Sequence, residues 1–181
     1  MYKEHYKTVN LRLDALALDI ATMLDNEGYD AVPITRDGYH GIRGLKETPS
    51  SFFSHRHAAY LAGLGTFGIN HTVLTETHGS RVRFASVVTS ADLTAESPMF
   101  ENVCINCNKC VDVCPVDALT DEPYPGGFDK FLCVDRSDEL AKEGIAPCGL
   151  CIAVCPVGRK VPPPMEDFRE KVQSYKLKYG N

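Results

Sequence analysis

The sequence predicts an α+β protein whose second half is a cysteine-rich module. Residues 9–27 have apolar side chains at helical spacing, and short runs rich in β-branched residues follow them. All eight cysteines of the 181-residue chain lie between Cys104 and Cys155. The predicted parts are an α/β domain, the cysteine-rich domain and a C-terminal helix or tail, over residues 1–98, 99–164 and 165–181.

The first predicted element is an amphipathic helix over residues 9–27 that ends before Gly28. Its apolar stripe is expected to lie in the core. A short strand over 30–35 should follow, and Pro33 favours an edge position because proline cannot donate to a ladder. The stripe consists of Leu13, Leu16, Ala17, Ile20, Met23 and Leu24.

Residues 36–53 are predicted to form a long loop, after which Ser54 caps a helix that runs to Ala62. The next segment, from Gly63 to Gly68, matches G-x-G-x-x-G. A dinucleotide fingerprint should follow a strand and open a helix, whereas this one follows a helix. We therefore expect its glycines to allow a tight turn or a close approach to a flat ligand.

A β-hairpin is predicted between residues 72–76 and 81–89, with a turn at 77–80 in which Gly79 adopts positive φ. Short helices are expected after Cys107 and Cys151. The remaining predicted elements are a turn-rich insertion over residues 122–127 and a polar helix that begins near Met165.

The cysteines fall into two runs with metal-ligand spacing. The first has the pattern C-x2-C-x2-C-x3-C-P and the second C-x2-C-x3-C-P, with Cys133 standing fifteen residues before the second run. The first pattern is the bacterial ferredoxin spacing, in which the fourth cysteine ligates the other cluster. Carrying that pattern over predicts two 4Fe–4S sites, one at Cys104, Cys107, Cys110 and Cys155, and one at Cys114, Cys133, Cys148 and Cys151.

Zinc binding and disulfide formation are the two alternatives to clusters for these cysteines. Zinc sites favour paired C-x2-C units with a longer spacer, which the triple C-x2-C-x2-C run does not match. A disulfide framework is typical of secreted chains, and no signal peptide is visible at the N-terminus. Clusters therefore remain the favoured interpretation.

The lack of a visible export signal predicts a cytoplasmic location, and the eight clustered thiols favour a reducing, oxygen-poor setting. No apolar stretch approaches the length of a membrane span.

Residues 101–143 have a net charge of −6, which would suit a basic redox partner or simply a solvated surface. Residues 144–181 have a net charge of +3, and a solvated helix is favoured there over a nucleic-acid contact.

Three features stand in sequence: the stretch His57-Ala-Ala-Tyr-Leu-Ala-Gly-Leu-Gly-Thr-Phe-Gly-Ile-Asn70, the strand ending at Val87-Val88-Thr89, and the eight cysteines. In this combination the chain resembles the epoxyqueuosine reductases and the C-terminal half of the reductive dehalogenases. The resemblance covers roughly residues 54–157. It implies a nitroreductase-like α/β domain followed by a ferredoxin-like double 4Fe–4S module, with a shortened N-terminal part in this chain.

The resemblance also implies a cobalamin next to one cluster, with FMN as the alternative cofactor. On this basis the corrinoid site would be lined by Gly63, Leu64, Gly65, Gly68 and Asn70. The implied activity is that of an oxidoreductase of the epoxyqueuosine reductase-like type. Its clusters would relay single electrons, from a redox protein partner, to the cofactor that reduces a small molecule. The alternative is a non-catalytic ferredoxin-type carrier between protein partners.

The catalytic candidates flank the glycine element. His55, His57 and His71 are candidates for ligand contact or proton transfer, with core packing or surface exposure as the alternative. Tyr60 is a candidate proton donor by resemblance, although its helical spacing also suits the core. The paired Arg81 and Arg83 are expected to hold a phosphate or corrinoid carboxamide, or to pair with acids; the catalytic residues themselves stay unassigned.

Overall fold

The computed structural model describes residues 2–35, 44, 46–47, 50–95, 97–98 and 101–179. Most of the predicted loop over 36–53 lies outside these residues, so the loop stays a prediction. The described helices are α1 (Tyr2–Asn26), α2 (His55–Leu61), α3 (Lys109–Asp112), α4 (Lys130–Lys142), α5 (Leu150–Val154) and α6 (Glu166–Tyr179). The described strands are β1 (Ala31–Ile34), β2 (Thr66–Phe67), β3 (Val73–Leu74) and β4 (Ser86–Thr89).

Helix α1 ends just before Gly28, as predicted, and Gly28 has a φ of 90°. The Gly28 N–H donates to the Asp25 carbonyl and the Tyr29 N–H donates to the Leu24 carbonyl, both at 3.0 Å. This pair of bonds is a Schellman motif, which satisfies carbonyls that the end of a helix leaves free. The helix begins seven residues earlier than its apolar stripe predicts.

The prediction that the whole stripe of α1 lies in the core is wrong. Ala17 and Ala21 are buried, but Leu16, Ile20 and Met23 are 38%, 46% and 56% exposed. The helix packs against β1 and β4. Because alanine is small, it lets the helix lie close to the strands, and the longer side chains then project past the contact.

The predicted hairpin between residues 72–76 and 81–89 is also wrong. Strand β3 pairs with β2, and β4 pairs with β1, each antiparallel. The expected turn does form, since Thr75 and Gly79 exchange two backbone hydrogen bonds and Gly79 has a φ of 57°. The chain then leaves the ladder, and the Arg81 side chain donates to carbonyls at the end of the second cysteine run and just after it.

The cysteine-rich part is built from two similar turns around one core. Val113 and Val154, which each precede a Cys-Pro pair, are fully buried and lie in one cluster with Phe168. Helices α3 and α5 pack against each other, and Phe168 brings α6 onto them. The short helices in the two runs and the C-terminal helix are thus confirmed. None of the described helices has the length and apolar character needed to cross a membrane.

Candidate functional site

Left-handed residues turn the chain between the cysteines of both runs. Asn106 and Asn108 have φ values of 52° and 55°, and Gly149 has a φ of 68°. Asn108 and Gly149 are also the residues immediately before α3 and α5. Because asparagine and glycine visit this conformation at the lowest cost, the sequence encodes both turns locally.

The structure brings the first predicted set of cysteines around one cavity. Cys104, Cys107 and Cys110 from the first run meet Cys155 from the second, so the crossed arrangement is present in the fold. Cys155 is buried, whereas Cys107 is exposed at the rim.

Cys133, which is predicted for the second set, lies on a helix rather than in a loop. It lies on the first turn of α4, which Asp129 caps by accepting the N–H groups of Phe131 and Leu132 at 2.9 and 3.1 Å. Burial and, to a smaller extent, the nearby Cys148 and Cys114 together raise the pKa of the Cys133 thiol to about 11. Helix α4 therefore spans most of the irregular sequence distance between Cys133 and the second cysteine run.

Two further thiols have raised pKa values for the same reason. Burial raises the pKa of Cys110 to about 12, with Cys104 adding to the effect. Burial, followed by Cys148 and Cys133, raises the pKa of Cys151. Thiols with raised pKa values are neutral near pH 7, whereas metal ligands are thiolates. Metal loading must therefore release protons from these sites.

The donor chemistry fits iron–sulfur clusters. All eight cysteines are free thiols. Within the described ranges, no three His, Cys, Asp or Glu side chains converge closely enough to hold a single metal ion. In a four-iron cluster each thiolate binds a different iron atom, so the sulfur ligands stand further apart than around one ion.

The glycine element packs directly against the first set. A β-carbon on Gly68 would stand 2.7 Å from the Leu74 side chain and 3.4 Å from the Cys104 sulfur. A β-carbon on Gly65 would stand 2.2 Å from the Leu74 carbonyl oxygen. Gly65 therefore requires glycine because it faces the backbone of β3, whereas at Gly68 the close atom belongs to a leucine side chain that can move.

Asn70 connects the element to both cysteine sets. Its side chain lines the cavity of the first set. Its Nδ2 donates to the Cys151 carbonyl of the second set at 3.4 Å, while its Oδ1 accepts from Thr72. Of the five predicted cofactor residues, Leu64 is the exposed one, at 54%, and Gly63 is half-buried with a φ of 71°.

The catalytic candidates divide between two surroundings. His55 is half-buried, and its ring nitrogens lie 2.8 Å from the Ser86 hydroxyl and 3.2 Å from the Thr35 carbonyl. His57 is exposed and lies in a hydrogen-bond chain, with Nδ1 2.7 Å from the Ser54 hydroxyl and Nε2 2.6 Å from the Tyr124 hydroxyl.

The turn-rich insertion, which forms as predicted, contributes an aromatic residue that sequence reasoning missed. Tyr124 stacks on Phe67 with ring centroids 3.9 Å apart and an interplanar angle of 8°. His71 also contacts the Tyr124 ring, and the Tyr60 ring lies 5.7 Å from that of Phe67. The tyrosine between two prolines was the available signal. The structure brings His57, Tyr60 and His71 into this cluster but leaves His55 outside it.

His71 is buried and lies in the left-handed region, with a φ of 55°. Its Nε2 lies 2.5 Å from the Gly126 carbonyl. Burial lowers the pKa of His71, the Gly126 bond opposes that effect, and Arg56 and Lys130 lower it further. A neutral imidazole that donates from Nε2 suits this position.

Arg81 and Arg83 point to different partners. Arg81 donates to the carbonyls of Cys155, Val157 and Gly158, each at 3.0 Å. The guanidinium of Arg83 lies over the Tyr6 ring, 4.2 Å from its centroid. Neither contact is the phosphate or acid pairing expected from the sequence, and a corrinoid contact by either residue stays a prediction.

Residues 103–159 match the 4Fe-4S dicluster domain family, which defines this part of the chain as a dicluster iron–sulfur domain. In sequence, the chain is 33% identical over 102 residues to the epoxyqueuosine reductase of Synechococcus sp. strain RCC307, covering 52% of this chain and 31% of that protein. It is 29% identical over 157 residues to the tetrachloroethene reductive dehalogenase of Dehalobacter restrictus, covering 77% of this chain and 26% of that protein.

Solved structures of the same two kinds of protein share the fold. An epoxyqueuosine reductase with a tRNA-Tyr epoxyqueuosine-modified stem loop aligns over 92% of this chain and 42% of its own, with a TM-score of 0.57 and 22% identity. A reductive dehalogenase described as B12-dependent aligns over 89% of this chain and 22% of its own, with a TM-score of 0.58 and 20% identity.

The predicted resemblance to both families is therefore confirmed, as is the mixed helix and strand content with a dicluster domain. The nitroreductase-like detail stays a prediction. The chain spans less than half the length of these relatives.

Proposed function

We propose that the chain is the iron–sulfur part of an oxidoreductase that delivers single electrons to a corrinoid or flavin beside the glycine element. Two 4Fe–4S clusters, when bound, supply one-electron transfer. One would be held by Cys104, Cys107, Cys110 and Cys155, and the other by Cys114, Cys133, Cys148 and Cys151.

The observation that carries this proposal is the contact between the glycine element and the cysteine sets. Gly68 lies against the Cys104 sulfur, and Asn70 reaches from the first cavity to the Cys151 carbonyl. A group bound at the outer side of this element would thus lie close to a cluster. Leu64 and Leu61, both exposed, offer the apolar surface for a flat ligand there.

The aromatic cluster gives the same region groups that can hold protons. His57 lies between the hydroxyls of Ser54 and Tyr124, so a proton can pass along this chain when a substrate is reduced.

The similarity to a B12-dependent dehalogenase supports a corrinoid as the cofactor. We propose a nitroreductase-like domain over residues 1–98, and a cytoplasmic location, on the resemblance alone.

A small molecule is the proposed substrate, rather than nucleic acid. The similar epoxyqueuosine reductase is seen with a tRNA stem loop. In this chain, however, two of the four basic residues of α6 are in ion pairs, because Lys176 lies 3.5 Å from Asp117 and Lys178 lies 2.8 Å from Glu143. Such paired lysines are poorly suited to neutralise phosphates.

A second candidate function is that of an electron carrier between protein partners. It is favoured by the exposure of Cys107 and of Ile105, which is 65% exposed, at the rim of the first cavity. A donor or acceptor protein can approach the first set there. This candidate needs no organic cofactor at the glycine element.

Anaerobic purification and two titrations separate the candidates. The oxidoreductase proposal expects about eight irons and eight sulfides per chain, as two four-iron sites require. It also expects tight binding of hydroxocobalamin or FMN, followed by their absorption spectra. Full iron content without binding of either cofactor would favour the carrier, and two zinc ions per chain would contradict both.

A further inference from the structure

Two arginine side chains converge on the backbone carbonyl of one cluster cysteine. Arg81 Nη1 donates to the Cys155 carbonyl at 3.0 Å, and Arg159 Nε donates to the same oxygen at 3.2 Å. The second Nη of Arg81 bridges the carbonyls of Val157 and Gly158, which fixes its guanidinium against the loop after Cys155.

These contacts hold positive charge beside the first cysteine set. Among the described residues, neither Arg81 nor Arg159 lies within 4.0 Å of a carboxylate, whereas five surface lysines form ion pairs. Burial and the neighbouring Arg159 lower the pKa of Arg81, and the Cys155 thiol opposes them, in keeping with this proximity. Carbonyl oxygens accept the hydrogen bonds without cancelling the charge.

We infer that Arg81 is a positioning residue that raises the reduction potential of the cluster held by Cys104, Cys107, Cys110 and Cys155. The inference rests on the proposed function. A one-electron donor that reduces this cluster adds one negative charge and transfers no proton. A fixed positive charge nearby stabilises the reduced form more than the oxidised form, and net charge is one of the levers on such potentials.

Arg81 is better suited to this role than Arg159. Arg159 stands four residues after Cys155 and also donates to the Ala153 carbonyl at 2.9 Å, which caps the end of α5. Arg81 comes from a segment 74 residues away, so its three bonds serve no local turn. It is half-buried, where solvent screens a charge less than at the surface.

A purely structural role is the alternative, because Arg81 also joins the α/β part to the loop after Cys155. Reduction potentials separate the two roles. The test uses the full chain with its clusters, purified anaerobically, as wild type, Arg81→Gln, Arg81→Lys and Arg83→Gln. Iron content is measured first, and a redox titration is then followed by electron paramagnetic resonance.

The expected result is a shift in one of the two midpoint potentials. At a fixed ambient potential, Arg81→Gln should lower the ratio of reduced to oxidised protein for one cluster about tenfold. This is the size of effect expected when one positive charge near the cluster is removed in a protein with its usual effective dielectric constant. Tenfold in a one-electron couple corresponds to about 59 mV. Arg81→Lys should recover most of this change because it keeps the charge. Arg83→Gln should leave the potential unchanged because Arg83 lies over Tyr6.

Three results would overturn the inference. The first is loss of iron in Arg81→Gln while the clusters that remain keep their potentials. The second is an equal shift of potential in Arg81→Gln and Arg83→Gln. The third is failure of Arg81→Lys to recover the wild-type potential. If Arg81→Gln does not fold, Arg159→Gln, which shares the Cys155 carbonyl, should shift the same potential downward, and an unchanged potential there also overturns it. Wild-type protein without clusters would instead contradict the proposed function.

Discussion

Gly79 and Gly158 lie so close together that a β-carbon on Gly158 would stand 2.7 Å from the Gly79 nitrogen. A β-carbon on Gly79 would likewise stand 2.3 Å from the Val157 carbonyl oxygen. Both glycines have left-handed backbone, with φ values of 57° and 65°. This contact seats the turn that carries Arg81 on the loop that follows Cys155.

Gly79→Ala should therefore destabilise the protein strongly. The left-handed conformation costs an alanine about 1–2 kcal/mol. The clash with Val157 adds about 1–3 kcal/mol, the usual range for overpacking. The measurement is the free energy of unfolding from an anaerobic denaturant titration.

Gly28→Ala is the matched control for this prediction. Gly28 is also left-handed, but a β-carbon there would meet nothing within 4 Å. Its substitution should show only the conformational part of the loss. Equal destabilisation by both variants would mean that the approach to Val157 has no energetic importance.

Pairs of cysteine substitutions test the crossed ligand sets. Cys107→Ser with Cys155→Ser should retain about four irons per chain, because both residues serve the same four-iron cluster. Cys107→Ser with Cys133→Ser should lose nearly all iron, because one ligand of each set is missing. Both double variants remove two thiols, so each controls for the other. Equal iron content in the two variants would contradict the assignment.

The turns within each cysteine run could be predicted from the sequence because the spacing of the cysteines in a run is a local property, whereas the two ligand sets stay a prediction. Left-handed Asn106, Asn108 and Gly149 turn the chain where the cysteine pattern requires it. The position of Cys133 could not be read in this way. Its distance from the second run is spanned by helix α4, and only the fold shows that this helix delivers the thiol to Cys148 and Cys114.

The strand pairing was the least predictable part of the fold. Residues flanking the Gly79 turn have the local signature of a hairpin, yet β4 pairs with β1, which lies 52 to 58 residues earlier in register. After this turn, the Arg81 side chain donates to carbonyls near Cys155, which holds the segment against the second cysteine run. Such a long-range contact leaves no mark in the periodicity of the segment. The stacking of Tyr124 on Phe67 was missed for the same reason.

The buried His71 should make stability depend on pH. Its pKa is lowered in the folded protein from the ordinary 6.5, chiefly by burial. The unfolded chain therefore binds a proton more readily, and stability is lost as the pH falls through 6.5 towards the lowered folded value. His71→Asn, which tolerates the left-handed backbone, should weaken this dependence.

The measurement compares denaturation midpoints of wild type and His71→Asn at about pH 7.5 and about pH 5.5, on either side of the ordinary histidine pKa. The quantity of interest is the change with pH in each protein, because the substitution also removes the bond to the Gly126 carbonyl at both pH values. Acid loss of iron affects both proteins alike. An identical pH dependence would show that another group controls it.

Leu64→Glu should weaken cofactor binding without reducing iron content. Leu64 is 54% exposed on the glycine element, so it can change without disturbing β2 and β3, whereas any side chain at Gly65 would strike the Leu74 carbonyl. Burial of a leucine contributes about 1.5–3 kcal/mol, so Kd for hydroxocobalamin or FMN should rise at least about tenfold.

Leu61→Glu is the control for this surface, because Leu61 is 62% exposed on α2, three residues before Leu64. A ligand that approaches the cysteine sets should contact the glycine element more closely than the helix before it, so Leu61→Glu should change Kd less than Leu64→Glu does. If both variants bind the cofactor as wild type does, the exposed side of the glycine element is not its site. The contacts of Gly65, Gly68 and Asn70 would then serve only to seat the α/β part on the clusters, as an electron carrier requires.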